Sequence, residues 1–343
     1  MVMILDLVDP QELQGFVRGI QIEEERNRFT LSAYLPNDMI DEIEYRITQG
    51  DLVDTDAAQI RAWDTESGIG SRQGAARLMG EMPPISRKIR LGEEERLRKR
   101  ALERSNNTQL IDAIYNDARN MARAVLARIE MLRGEALFTG KVVINENGVK
   151  QTVDFGRSAG HSVTAATLWS DTANATPVAN LRAWVQTYID DNGVAPALAL
   201  TSTAVISNLM LNAEIRALAA NLTGTPSIVT LATVNAVFSA FGLPPFVPND
   251  TQVRVQGAKT RVTPVGDLLL LPPAGEPLGA TFFGTTAESL ELVDAQAIAQ
   301  DQAPGLISTI HRLDDPVSTW TKVAAVSFPG LANPDLTFRA TVQ

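Results

Sequence analysis

Residues 107–138 read NTQLIDAIYNDARNMARAVLARIEMLRGEALF, and residues 139–156 continue as TGKVVINENGVKQTVDFG. In the first stretch apolar residues recur at Ile111, Ile114, Ala118, Met121, Val125, Ile129, Leu132 and Ala136. Steps of three and four place them on one stripe of a single amphipathic helix. At roughly 1.5 Å per residue the rod is on the order of 45 Å long. Ser105, Asn106 and Asn107 are N-cap candidates, and Asp112 and Asp117 suit the positive end of the macrodipole. Gly140 stops the helix. Asn147-Gly148 between two β-prone runs, Val142–Ile144 and Val149–Phe155, then predicts a hairpin. A rod flowing into a hairpin makes a frame of the kind shared between subunits.

A chain of 343 residues can bury a sizeable core and hold two or three subdomains. Hydrophobic content of 45% with 20% charged residues is that of an ordinary soluble protein. The sequence has no cysteine, which excludes disulfides, thiolate metal sites and cysteine nucleophiles. Met1–Val8 is apolar but carries Asp6 and lacks a basic lead, so no signal peptide is expected. Charge is unevenly spread: residues 1–157 hold 22 of the 30 Lys+Arg and 26 of the 40 Asp+Glu. A charge-rich first part fits extended pieces that meet neighbours through ion pairs and polar contacts. The charge-poor second part fits a compact, mostly buried domain. Its uncharged run between Arg216 and Asp250 is broken by Gly224, Pro226, Gly242, Pro244 and Pro245, so no membrane span is expected.

Residues 1–50 combine an apolar start, the acidic run Glu23-Glu24-Glu25 and a strand-like Phe29–Leu35, and read as an arm lying on a neighbour. Residues 51–92 read as a protruding hairpin, with Ile60–Trp63 and Ile85–Leu91 as its strands and Gly68–Gly74 as its tip. A lone hairpin cannot bury its faces and needs a partner surface. An exposed Trp63 there is best explained by contact with a neighbour. Glu93-Glu94-Glu95 followed by Arg96, Arg98, Lys99 and Arg100 supports a short exposed helix. The adjoining acids argue against a DNA-binding patch there. Further on, Pro177–Asp190 predicts a helix with Leu181, Trp184, Val185 and Tyr188 inward and Gly193 as its stop. Ala195–Leu200 predicts a strand, Thr203–Ala220 and Thr230–Phe241 helices, and Val253–Val255, Arg261-Val262 and Leu268–Leu271 strands.

Gly156-Arg157-Ser158-Ala159-Gly160 matches the G-x-S-x-G nucleophile elbow, with His161 adjacent and His311 as the other possible base. The alternative function it suggests is a serine hydrolase using Ser158, although Ser162-Val163-Thr164 is not a helix start. Gly134 and Gly140-Lys141 hint at a P-loop, but the count is one residue off and Val142 stands where a magnesium-binding hydroxyl belongs. Two isolated histidines make zinc improbable, and the acidic pairs Asp190-Asp191 and Asp314-Asp315 read as solvated turns. No catalytic, cofactor or metal residue is assigned.

The run Leu137–Lys141, the hairpin, Val153–Ser158 and Trp169-Ser170 together resemble the major capsid proteins of lambda-type tailed phages, the phage major capsid protein E family. The C-terminal blocks Asp315-Pro316, Phe328-Pro329-Gly330 and Asn333-Pro334-Asp335, with a last strand Leu336–Val342, repeat the match. The ordered blocks extend from Val53 to Gln343. The resemblance implies an α+β, HK97-like phage capsid fold without catalysis. Its parts would be an N-terminal arm (1–50), an extended loop (51–92), a peripheral domain (93–175) with spine helix 107–138 and hairpin 141–157, an axial α/β domain (176–303), and a C-terminal β return to the peripheral domain (304–343). It implies hexamers and pentamers in an icosahedral head around double-stranded DNA, assembled in the host cytoplasm, with a scaffolding protein, a portal and a decoration protein as further partners. A cellular nanocompartment of the same fold is the other biological reading. Candidate subunit-interface residues are Trp63, Arg61, Arg72, Arg87, Lys88 and Arg90. Lys88 lies near the base of the predicted hairpin, so covalent Lys–Asn locking of the shell is not expected.

Overall fold

The computed structural model describes residues 2–3, 8–49, 63, 76–94, 97, 108–223, 228–255, 257–274 and 278–343. A short strand β1 (Val2–Met3) precedes helix α1 (Pro10–Asn27), which Asp9 caps by accepting from the Gln11 amide at 2.8 Å. Leu13, Val17 and Ile20 of α1 are buried, and α1 packs on the long helix α2 (Thr108–Thr139). From the sequence, residues 1–50 read as an arm on a neighbour. The described part of the segment folds onto its own chain, because its apolar stripe and its acidic run both find partners on α2. Glu24 pairs with Arg123 at 2.6 Å and Glu25 with Arg133 at 3.1 Å. Phe29–Leu35 is not a strand either; a 3₁₀ turn over Thr30–Ala33 lets Phe29, Leu31 and Leu35 all face inward.

Helix α2 has the register that its stripe predicts. Ile114, Ala118, Met121, Val125, Ile129, Leu132 and Ala136 are buried, and Ile111 packs half-buried beside them. Gly134, mid-helix, marks a close approach: a Cβ there would stand 2.5 Å from the Val262 Cγ1 and 2.9 Å from its carbonyl oxygen. Gly140 takes φ +69° and donates its N–H to the Ala136 carbonyl at 2.9 Å, ending the helix. The P-loop hint therefore dissolves into one packing glycine and one C-cap. The hairpin follows at once as β6 (Lys141–Glu146) and β7 (Val149–Asp154), turning through Asn147 at φ 49° and Gly148 at φ 86°. The N-cap candidates Ser105, Asn106 and Asn107 lie outside the described residues.

A six-stranded sheet is built around the strand β16 (Val317–Leu331). Its order is β1, β15 (Ile307–Asp314), β16, β14 (Gly279–Gly284), β2 (Asn37–Met39), with a cis Asp315–Pro316 bond between β15 and β16. The sixth strand, β5 (Pro84–Leu91), runs antiparallel along the edge of β16 opposite β15, from Leu91 facing Thr319 to Pro84 facing Val326. The strand expected over Ile85–Leu91 is present; all of its expected partner Ile60–Trp63 except Trp63 lies outside the described residues. The strand before it, β4 (Ala76–Glu81), pairs with β3 (Glu44–Gln49). Burial decides the matter: Ile85, Ile89 and Leu91 share the face that packs against α2, and the 15-residue β16 offers a long apolar ladder beside it. Ile60, Arg61, Ala62 and Gly68–Gly74 lie outside the described residues.

The second sheet has five strands, in the order β10 (Phe246–Pro248), β9 (Leu198–Thr201), β13 (Asp267–Leu271), β17 (Phe338–Thr341), β8 (Ser162–Thr164). Around it pack helices α3 (Pro177–Asn192), α4 (Thr203–Leu211), α5 (Ala213–Thr223) and α6 (Leu231–Ala240). Helix α3 has Leu181, Val185 and Tyr188 buried, Trp184 half-buried, and Gly193 in the left-handed cap at φ 68°. The single helix expected over Thr203–Ala220 is two, broken at Asn212. Its side chain accepts from the Ile215 amide at 3.1 Å and donates to the Thr172 and Ala175 carbonyls, which replaces helix bonds with a cap. A small hairpin, β11 (Gln252–Val255) and β12 (Ala258–Arg261), stands apart from both sheets.

Two expected boundaries also shift. Strand β14 and the following helix α7 (Ala287–Asp294), placed by order in the 176–303 unit, belong to the six-stranded side: β14 pairs with β16, and α7 packs on β15. Conversely β17, from the segment read as a return to the first frame, completes the five-stranded sheet between β13 and β8. Aromatic packing fixes the first crossing, since Tyr45 stacks on Phe328 at 4.9 Å and on Phe282 at 6.2 Å.

Candidate subunit interface

Strand β5 carries three of the six candidate interface residues, and alternation along it sends them to two faces. Arg87 shares the face of Ile85 and Ile89, beside α2. Lys88 and Arg90 occupy the opposite face, where the Lys88 Nζ lies 4.8 Å and the Arg90 guanidinium 6.0 Å from the centre of the Trp320 ring. All three are exposed, and among the described residues β5 pairs only with β16. Among the described residues its outer edge has no ladder partner and is flanked by cations, the arrangement that either deters or directs pairing with another chain. Near Lys88, α7 supplies Glu288, which pairs with Lys322. Arg61 and Arg72 lie outside the described residues. Trp63 is 96% exposed.

Between β5, α2, the β6–β7 hairpin and the β11–β12 hairpin runs a groove of about 360 Å³. Ile85, Val125, Met131, Leu132 and Val253 give it an aliphatic lining. Arg87, Arg128 and Arg254 add positive charge, Arg128 being tied to Glu146 at 2.6 Å.

The block around Ser158 makes a joint. Arg157 donates to the Leu137 and Phe138 carbonyls at 3.0 and 2.8 Å, satisfying the open end of α2, and to Thr337 at 3.2 Å. Burial, with Arg339 nearby, lowers the Arg157 guanidinium to about 10, so it stays charged at neutral pH. The Ser158 hydroxyl donates to Asp335 at 2.7 Å, and its amide to the other carboxylate oxygen at 2.7 Å. His161 is buried, with Nε2 2.8 Å from Asp191 and Nδ1 3.3 Å from the Thr337 carbonyl oxygen. Neither ring nitrogen addresses Ser158, and Ser158 leads into a single 3₁₀ turn over Ala159–His161 where an elbow needs a helix. Three sequence blocks far apart in the chain (Leu137-Phe138, Gly156–Ser158 and Asn333–Asp335) therefore meet to weld the end of α2 to the second sheet.

One constellation escaped the sequence reading. Arg133, 1% exposed, donates to Glu130, Glu25, Asn37 and Thr281 at 3.3, 3.1, 2.6 and 2.9 Å. Glu130, itself buried, accepts from the Leu31 amide at 3.0 Å. Burial raises the Glu130 carboxyl above its ordinary value, while Arg133 and the Leu31 amide oppose that rise. The signal available was one basic and one acidic residue at i and i+3 on the flank of the apolar stripe. Among the described residues no cluster of His, Asp or Glu could hold a metal ion, and no helix is long and apolar enough to cross a membrane.

Solved structures share the architecture. A putative capsid protein of a prophage of E. coli CFT073 superposes with a TM-score of 0.65 at 15% identity, covering 98% of this chain and 99% of that one. A phage-related protein of Bordetella bronchiseptica RB50 gives 0.60 at 13% identity, with 97% of both chains covered. The capsid of Myoviridae phage XM1 gives 0.51 at 10% identity, over 92% of this chain and 91% of that one. No curated protein matches in sequence. The fold is thus the HK97-like capsid fold. The family model of phage major capsid protein E matches residues 41–342, and the chain belongs to that family, as a major capsid shell protein of the phage head.

Proposed function

We propose that copies of this chain associate into hexamers and pentamers that close an icosahedral head around packaged double-stranded DNA. The family match over residues 41–342 carries this reading. In it the chain is purely structural, with the extended loop expected over 51–92 reaching over a neighbour, the first sheet and α2 stiffening each subunit, and the charge-poor five-stranded sheet filling the capsomer centre. Trp63, Arg61, Arg72, Arg87, Lys88 and Arg90 are the proposed contact residues. The exposed cations of β5, whose outer edge has no ladder partner among the described residues, support placing a neighbour there. A net charge of -10 suits a container that must release its DNA, because a basic lining would hold phosphates. Assembly in the host cytoplasm would draw on a separate scaffolding protein, a portal and a decoration protein. Lys88 sits over Trp320, an engagement that supports noncovalent locking.

Electron microscopy and sedimentation of the chain made together with the other head proteins test this. Closed shells or capsomers are expected, weakened by deletion of residues 64–75, a cut that spares β4. Heads that form without the protein would overturn the reading.

A further inference from the structure

One face of the six-stranded sheet is lined with cations where α7 crosses it. The ladder sets Thr309 beside Lys322 and Lys88, and His311 beside Trp320 and Arg90, so these side chains share the face away from α2. Helix α7 covers that face with Glu288 and Glu291, and a cleft of about 240 Å³ lies between them and His311, Trp320, Lys322 and Lys88. Little holds α7 there. Its apolar anchor is the small cluster Leu292, Ile298 and Ile307, separate from the main core, and its polar anchor is the ion pair of Glu288 with Lys322. Eight residues are too few to stay helical without such packing. The Trp320 indole N–H is buried with no acceptor among the described residues, a cost that hydration would remove. His311 is half-buried beside the cleft, with Nε2 3.0 Å from the Thr309 hydroxyl. Burial holds its imidazole below the ordinary 6.5, assisted by Lys322 and the amino terminus and opposed by Glu291 and Glu288. Arg312 and Asp314 alternate to the opposite face of β15, where they pair with each other.

We propose that His311 and α7 form an acid-sensitive latch, in which proton uptake by the imidazole loosens the helix from the sheet. The charged ring joins Lys88, Arg90 and Lys322 on one face, against Glu288 and Glu291 on the helix. Attraction to the two acids does not make up for the hydration lost in the cleft, so the closed form prefers the neutral ring. Lifting α7 admits the water that solvates the charge. One proton is taken up per opening. The open population therefore grows by up to about tenfold for each pH unit of acidification below the ordinary value, until the lower folded value is passed. The latch belongs to the single subunit and stands apart from the shell reading.

Amide hydrogen exchange of the whole chain, read by mass spectrometry at neutral and mildly acid pH and corrected for intrinsic rates, tests the latch. Peptides spanning Ala287–Asp294 are expected to lose protection in acid, by up to about tenfold per pH unit, while α2 and β13 keep theirs. His311→Asn, always neutral, should keep α7 protected at both pH values, and His311→Gln replaces it should the first variant not fold. His311→Lys, always charged, should leave α7 poorly protected at both. An α7 profile that does not change with pH in the unaltered chain overturns the latch. So does a loss that persists in the neutral variants, or full protection of α7 in a folded His311→Lys chain.

Discussion

Arg133 and Leu269 are buried almost equally, at 1% and 0% exposure, the first on α2 and the second in β13 of the five-stranded sheet. They are held by opposite means. Arg133 joins α1, α2, β2 and β14 through charged and polar partners, while Leu269 lies in a strand where Leu268, Leu269, Leu270 and Leu271 are all fully buried. Taking an ion out of water costs several kcal/mol, which the pairing must offset, so such a network adds little net stability and specifies which surfaces may meet. Apolar burial is non-directional and scales with area. The charge-rich frame thus has its geometry dictated bond by bond, and the charge-poor sheet is held by volume.

The sharpest way to break this comparison is Arg133→Ala, which strands Glu130 and Glu25 and should lower unfolding stability by about 3–5 kcal/mol in a denaturant titration. A loss below about 1 kcal/mol would mean that the carboxylates are already neutral or hydrated. Leu269→Ala should cost about 2–5 kcal/mol by the same titration, through lost transfer energy and the cavity left behind. If it cost clearly more than Arg133→Ala, the frame would be the softer half. Arg157→Ala exposes the last carbonyls of α2 without a donor and should cost about 1–3 kcal/mol, with faster amide exchange confined to the end of α2 and the Ser158 loop. Asn212→Ala removes the cap between α4 and α5 and should cost about 1 kcal/mol, read as a modest fall in thermal midpoint. The smallest effect is a pH slope. Burial holds the His311 imidazole below its ordinary 6.5, opposed by Glu291 and Glu288 and assisted by Lys322. The unfolded chain then takes up the proton first, so this stability is present above pH 6.5 and lost as pH falls through the lower folded value. His311→Asn should flatten that slope in melting curves recorded between mildly acidic and neutral pH.

Legibility followed the range of the interaction. The stripe on α2, the Gly140 stop, the Asn147-Gly148 turn and the inward face of α3 were all readable, since each depends on residues within a few positions of one another. The partner of β5 was not. Its alternation shows that Ile85, Ile89 and Leu91 share a face, but nothing local says that the ladder lies more than 200 residues away on β16. The acidic run Glu23–Glu25 suggested a neighbour's surface because the cations it meets, Arg123 and Arg133, lie about 100 residues on. The G-x-S-x-G match shows the opposite hazard: a correct string whose serine is spent on Asp335.

By itself the sequence determined the long helix α2, helix α3, the Gly140 and Asn147-Gly148 turns and the family, because periodicity, capping and ordered motif blocks are properties of the chain read in line. Only the tertiary structure decided that β5 pairs with β16, that α1 lies on its own spine helix, and that β14 and β17 exchange sheets. Those outcomes depend on which distant surfaces bury one another best. Strand pairing carries no local code beyond its period of two, so the deciding energy appears only once the whole chain has folded around β16.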